Sequence, residues 1–339
     1  MKIAFVWGQG AIKKESRNDR RRVSVHYIQS DILCVHCARR KYSFFLRKGI
    51  NMRSVRFMFV LWLIVFNYTN TKAENHALLF DGANDYVHAP YISAYQLPVI
   101  TVEAWVRPNS DLSTWNNTTS GGSGIVGRGE DVSSDNDAFS FGVACSNNPW
   151  GHGLGLGYEN SNDDEQNFNT NFYPPVNSWT HLATTRSSDG QINIYVNGNL
   201  YSHWDSSDIP TSNCFQEFTF GADWANGVTT PTGPMELVGF FPGMIDEVRI
   251  WNVARSEEEI LENYNKIVSL YSPGLVGYWN FDEGNGTIAH DLTGLNNATL
   301  GLNGTGTDVP IWTSEGAPVP EPTTLLLLGL GAFVLRKIP

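Results

Sequence analysis

Between residues 76 and 315 the chain is built from short runs in which apolar and polar residues alternate. In Ile100-Thr-Val-Glu-Ala-Trp-Val-Arg107, Ile100, Val102, Ala104 and Val106 share one side, while Thr101, Glu103 and Arg107 share the other. That is the period of a half-buried strand. Residues 191–196 alternate again, and Asn197-Gly198 supplies a type I′ hairpin signal before residues 199–204 return. Residues 244–251 form a further alternating run, in which the adjacent Asp246 and Glu247 are expected on opposite faces. One helix is marked. Ser256 stands three residues before Glu259, a capping box, and Ile260, Leu261, Tyr264 and Ile267 give an apolar stripe. The pattern predicts an all-β fold, a two-sheet antiparallel sandwich with one short helix near its C-terminal end.

Two longer apolar runs lie outside this body. Residues 57–66 (FMFVLWLIVF) follow the basic Met52-Arg-Ser-Val-Arg56 and precede Thr71-Lys72-Ala73. This is the pattern of a secretory signal peptide over 52–73, too short to span a membrane. Residues 1–51 carry 12 Lys/Arg against 3 acids and no sustained period. They read as upstream sequence ahead of a true start at Met52, with a genuine or disordered leader as the rival. Cys34-Val-His-Cys37 lacks a second ligand pair and is assigned no function. At the other end, Pro320-Glu321-Pro322 is followed by an apolar run over 323–335 and by Arg336-Lys337. Thirteen helical residues reach about 20 Å, short of a ~30 Å hydrocarbon core. The two cations favour the cytoplasmic side and put the rest of the chain outside. This segment, 317–339, resembles the PEP-CTERM sorting tail of Gram-negative bacteria. The resemblance implies sorting to the cell surface or extracellular matrix, a transient inner-membrane anchor, and processing at the Pro-Glu-Pro segment by an exosortase-type transpeptidase.

Removing both ends changes the charge. Residues 74–318 hold 30 Asp/Glu and 6 Lys/Arg, so their net charge is 6 − 30 = −24, against −11 for the whole chain. So anionic a surface excludes nucleic acid as the partner. Membrane contact is left to the tail. Cys145 and Cys214 are the only cysteines of the exported part, and an oxidising compartment favours a disulfide between them over two free thiols.

Five motifs occur in order: Leu79-Phe-Asp-Gly-Ala-Asn-Asp-Tyr-Val87, Ile100 to Val106, Ser178-Trp-Thr-His-Leu-Ala183, Ile194-Tyr-Val-Asn-Gly198 and Gly243-Met-Ile-Asp-Glu-Val-Arg-Ile-Trp251. Together they resemble the laminin-G-like, concanavalin A-like jelly-roll domain. Gly274-Leu-Val-Gly-Tyr-Trp-Asn-Phe-Asp-Glu-Gly284, with Asp291 to Gly294 and Trp312, resembles the segment that closes bacterial members. The domain then covers 74–316, with its closing segment at 271–316. The family hosts lectins, adhesins, enzymes and inert spacers, so fold does not carry function.

Chemistry is sparse. Glucanases on this fold need carboxylates spaced along one strand face, and the nearest match offers only the adjacent Asp246 and Glu247. Non-catalytic binding is therefore expected, of polysaccharide or a surface protein. The alternatives are a glycoside hydrolase or lyase whose carboxylates come from loops, and a structural matrix protein without ligand. Asp81 and Asn84, in a Gly turn, are candidate calcium ligands. The family resemblance implies that Asp246 joins them. The other reading is an Asx turn, with Asp246 capping a bulge. Trp115, Trp150, Trp204 and Trp224 lie in or beside Asn/Ser/Gly-rich loops and are candidate sugar plates. Trp105, Trp179, Trp251 and Trp279 lie in strand patterns and are expected in the core.

Overall fold

The computed structural model describes residues 23–27, 32–37, 42–47 and 75–319, without 96–97, 116–121, 131–136, 147–150, 161, 163, 209, 211–216, 225–236 and 303. The chain divides into two units, Met1–Lys72 and Ala73–Pro339. In the first, β1 (Val23–Tyr27), β2 (Ile32–Cys37) and β3 (Tyr42–Arg47) pair as an antiparallel meander. Periodicity gave no sign of these strands.

The second unit contains two eight-stranded sheets, antiparallel in every pair. The first runs β13 (Asn199–Asp205), β12 (Gln191–Val196), β11 (Thr180–Arg186), β6 (Ile100–Pro108), β17 (Pro242–Trp251), β4 (Ala77–Asp81) and β21 (Ile311–Thr313), with β18 (Leu275–Trp279) also paired to β17. The second runs β10 (Glu165–Asn169), β9 (Gly153–Glu159), β8 (Asp137–Ala144), β7 (Gly122–Glu130), β14 (Phe218–Phe220), β5 (Val87–Ala89), β20 (Ala298–Leu300) and β19 (Ile288–Ala289). A short pair, β15 (Asp223–Trp224) and β16 (Leu237–Val238), stands apart. The expected sandwich is present. Val102, Ala104, Val106, Ile192 and Ile194 from one sheet share a core with Phe139, Phe141, Leu154, Leu156 and Phe220 from the other.

Local signals account for the connections. Asn197 (φ 49°) and Gly198 (φ 80°) turn between β12 and β13 with both residues left-handed, as a type I′ turn demands. A side chain at position 198 would also strike the Tyr264 ring, at 2.6 Å. Helix α1 (Glu257–Asn263) opens on the expected capping box: the Glu259 N–H donates to Ser256 Oγ and the Ser256 N–H donates to Glu259 Oε2. The apolar stripe is shorter than predicted. Ile260 is buried, Leu261 faces solvent, and Ile267 lies past the helix end.

The larger departure concerns the polar face of β6. Thr101 and Glu103 alternate away from the core as predicted, and Trp105 lies on the same side of the strand, yet none of the three reaches water. Residues 253–264 lie over them. Thr101 Oγ1 donates to the Val253 carbonyl at 2.7 Å and Trp105 Nε1 to the Tyr264 carbonyl at 3.0 Å. The Glu103 carboxylate, 0% exposed, takes Arg255 at 2.9 Å and His181 Nε2 at 3.2 Å. Arg255 in turn lies 4.1 Å over the Trp251 ring. Burial pushes Glu103 up, but the His181 hydrogen bond and the charges of Arg249 and Arg255 outweigh it and hold the carboxyl at about 2 instead of 4.5.

Glu103→Gln should therefore cost about 3–5 kcal/mol, because it leaves Arg255 buried without its counter-charge. Since Glu103 titrates lower in the folded state, its contribution is complete above the unfolded carboxylate range. It fades as pH falls from about 4.5 towards 2. Urea unfolding at pH 7, 4 and 3 should show that loss in wild type, with this component missing from Glu103→Gln.

Candidate functional site

The Asp246-Glu247 pair does not behave as an alternating strand. Asp246 pairs with Trp105 and Arg249 with Glu103, so two residues of β17 oppose one of β6. This is a β-bulge, with Glu247 left-handed at φ 53°. The extra residue turns Asp246 and Glu247 onto the same outer face of the sheet, correcting the expectation of opposite faces. Glu247 Oε2 accepts from Arg249 at 2.5 Å and from the Tyr278 hydroxyl at 2.6 Å. Asp246 accepts the Glu247 N–H at 2.8 Å and the Ala317 N–H at 2.7 Å. Burial pushes the Asp246 carboxyl well above its ordinary range, and the charge of Glu247 adds to the shift.

Nor does Asp246 join the Asp81 turn. Asp81 stands opposite Pro242, and Leu78 opposite Ile245. Asp246 is thus displaced by four residues, about 13 Å along the strands. Asp81 Oδ1 accepts the N–H groups of Ala83 (2.7 Å) and Asn84 (3.2 Å), an Asx turn, while Asn84 donates to Thr307 Oγ1. Asp85 folds back under this turn and takes the Asp81 N–H at 2.8 Å. Burial, with the Asp81 and Asp308 charges adding, pushes Asp85 up to about 6. Among the described residues no group of three His, Cys, Asp or Glu could hold a metal ion. The Asp81–Asn84–Asp246 set expected for calcium is not brought together.

The tryptophans divide. Trp105, Trp251 and Trp279 are buried as expected, and Trp179 is half-buried beside Trp105. Trp115 packs half-buried against the core, its ring edge 2.7 Å from where a Gly82 Cβ would stand. Trp150 lies outside the described residues, and Trp224 is placed only by its backbone in β15. Trp204 also packs half-buried against the core, at the edge of its sheet and among other aromatics. β13 and β10 are the edge strands of the two sheets, and Trp204 meets Phe168 edge-to-face at 5.9 Å. Phe168 stacks on Tyr158 at 5.6 Å, and Phe172 meets Tyr201 at 5.2 Å. Tyr201 is 47% exposed, and Phe168, Phe172 and Trp204 are half-buried. The half-buried Gln166 and Ser202 also lie on these two edge strands. The result is an aromatic seam at these edges, with Tyr201 its exposed ring and Phe168, Phe172 and Trp204 packed against the core. Only Trp204 of this group was named from sequence. Phe168, Phe172 and Tyr201 sit in segments with no shared sequence signal, and chain pairing alone makes them neighbours.

The outer face of the second sheet looks like a second candidate and is not. Gly157, Ser140 and Gly127 stand in one row and Gly155, Gly142 and Gly124 in the next. A side chain at Gly124 would meet Ala222 at 2.6 Å, and one at Gly155 would meet Asn169 at 2.1 Å. These glycines admit the protein's own segments. Cys145 is buried, while Cys214 and the sorting residues Pro320, Glu321, Pro322, Arg336 and Lys337 lie outside the described residues. Among the described residues no helix is long and apolar enough to cross a membrane.

Residues 81–261 match the family model for the concanavalin A-like lectin/glucanases superfamily, and residues 318–337 match the PEP-CTERM protein-sorting motif. The second match implies export and sorting to the cell envelope of Gram-negative bacteria. No curated protein matches the chain. Similar solved structures include a candidate carbohydrate binding protein from Bacteroides ovatus, at 20% identity and a TM-score of 0.49, over 83% of this chain and 69% of that one. A heptameric SAP-like pentraxin from Limulus polyphemus gives 14% and 0.41, over 69% and 97%. Domain 4 of an extracellular arabinanase from Geobacillus stearothermophilus, solved with arabinotriose, gives 19% and 0.37, over 55% and 75%. Likeness at this level carries no inference about ligand.

The bulge makes a direct prediction. Glu247→Ala strands the buried Arg249 and the Tyr278 hydroxyl, so it should destabilise by about 3–5 kcal/mol. On an ordinary alternating strand it would be near-neutral. Denaturant unfolding of the variant decides between them.

Proposed function

Because the chain belongs to the concanavalin A-like lectin/glucanases superfamily, we propose that its exported body is a non-catalytic module that binds extracellular polysaccharide. The observation carrying this reading is the aromatic seam of Tyr201, Phe172, Trp204 and Phe168 between the edge strands β13 and β10. A pyranose presents apolar C–H faces ringed by hydroxyls. An exposed ring supplies the plate for the faces, and the Gln166 amide and Ser202 hydroxyl supply polar partners nearby. The body's net charge of −24 favours a neutral glycan over an acidic one.

The non-catalytic reading is supported by the state of the carboxylates. Glu103, Asp246 and Glu247 are 0%, 1% and 5% exposed and hydrogen-bonded internally, so no glycosidic bond can approach them. A hydrolase would need its acid pair elsewhere on the surface.

Affinity electrophoresis against a panel of neutral polysaccharides tests the proposal. Wild type should be retarded by at least one of them. Tyr201→Ala should weaken that binding by roughly tenfold, about 1.4 kcal/mol, with an unchanged melting temperature because the ring is half exposed. Reducing-sugar release should stay at background. Equal retardation of wild type and Tyr201→Ala would remove the seam from the site, and steady sugar release would favour the hydrolase.

A further inference from the structure

The last described residues form a strap across the outer face of the first sheet. Ala317 is fully buried and Val319 is 4% exposed, both packed with Trp105, Trp179 and Tyr264. Polar contacts pin the strap at several points. Asp246 takes the Ala317 N–H at 2.7 Å, Asn75 Nδ2 donates to the Ala317 carbonyl at 2.6 Å, and the Gly316 N–H donates to the Asn75 carbonyl at 3.2 Å. Arg107 pairs with Glu315. The fit is close: a Cβ at Gly316 would stand 2.7 Å from the His76 carbonyl oxygen, a backbone atom, as well as 1.4 Å from the Asn75 side-chain oxygen.

The Pro-Glu-Pro segment of the sorting signal starts one residue later. Pro320-Glu321-Pro322 joins the buried Val319 to the apolar run at 323. Three residues reach about 10 Å, whereas a body of this size has a radius of gyration of about 18 Å. With the strap docked, chain length alone keeps the bonds to be processed within about 10 Å of the folded domain. Undocking back to Thr313, where β21 ends, frees six more residues. The reach then becomes about 30 Å.

We propose that this strap is a latch on tail processing: the membrane transpeptidase gains the Pro-Glu-Pro segment only when residues 314–319 peel from the sheet. The inference rests on the sorting assignment of the tail. The processing rate then follows the fraction of molecules with the strap undocked.

Pulse-chase of the full chain in a host that processes such tails, with the mature form identified by mass, tests this. Gly316→Ala cannot keep the docked geometry, so its tail should be removed on the order of tenfold faster, the inverse of an undocked fraction of about one in ten. An eight-residue Gly/Ser insertion between Val319 and Pro320 supplies reach while leaving the strap docked. It should speed processing similarly, and adding Gly316→Ala to it should give no further gain. Hydrogen exchange at the Ala317 amide reports docking independently, and the insertion chain keeps the test alive if Gly316→Ala folds poorly. An unlatched Ala317 amide with wild-type processing, or an insertion that changes nothing, overturns the latch alone. Absence of processing in every chain overturns the sorting assignment and the latch with it.

Discussion

A buried carboxylate organises one whole side of this molecule. Glu103 sits in the middle of the first sheet, on the face a sandwich normally gives to solvent, and it cannot be buried alone. Arg255 and His181 answer it, and Arg255 is held in place by the Trp251 ring and by the chain around α1. The covering segment follows from that requirement. Once residues 253–264 lie over β6, Thr101 and Trp105 find their partners in its backbone carbonyls.

The bulge in β17 extends the same arrangement. By placing Asp246 and Glu247 side by side on the outer face, it lets one carboxylate neutralise Arg249 and the other grip the strap at Ala317. A regular strand would send one of them into the apolar core. Acidic residues that look catalytic in outline are therefore spent on architecture. Asn75 and Ala317 meet across this region, so the two ends of the described body are tied to each other.

Covering one face also decides where a ligand can go. The outer face of the first sheet is occupied by the chain itself, and the glycine rows of the second admit its own segments. At the edges of β10 and β13, aromatic side chains stay partly in water. Under the proposed function, an edge suits a long polymer, which can run past the domain without entering it.

Alternation at 100–107 and 191–196, the Asn197-Gly198 turn and the Ser256–Glu259 box were sufficient to read a two-sheet sandwich and its helix, because each is a local rule of backbone geometry. The sorting tail was legible for the same reason: its signal is linear. What sequence could not give was anything depending on which strands pair and in what register. Adjacency put Asp246 and Glu247 on opposite faces, whereas the bulge, set by the mismatch between β17 and β6, put them together. Family likeness put Asp246 beside Asp81, whereas the β4–β17 register parts them. Alternation placed Glu103 on the side of β6 away from Val102 and Ala104, but it reports a side of the strand and not what covers it. The aromatic seam was out of reach as well, since Phe168, Phe172, Tyr201 and Trp204 become neighbours only when two sheets end at the same place.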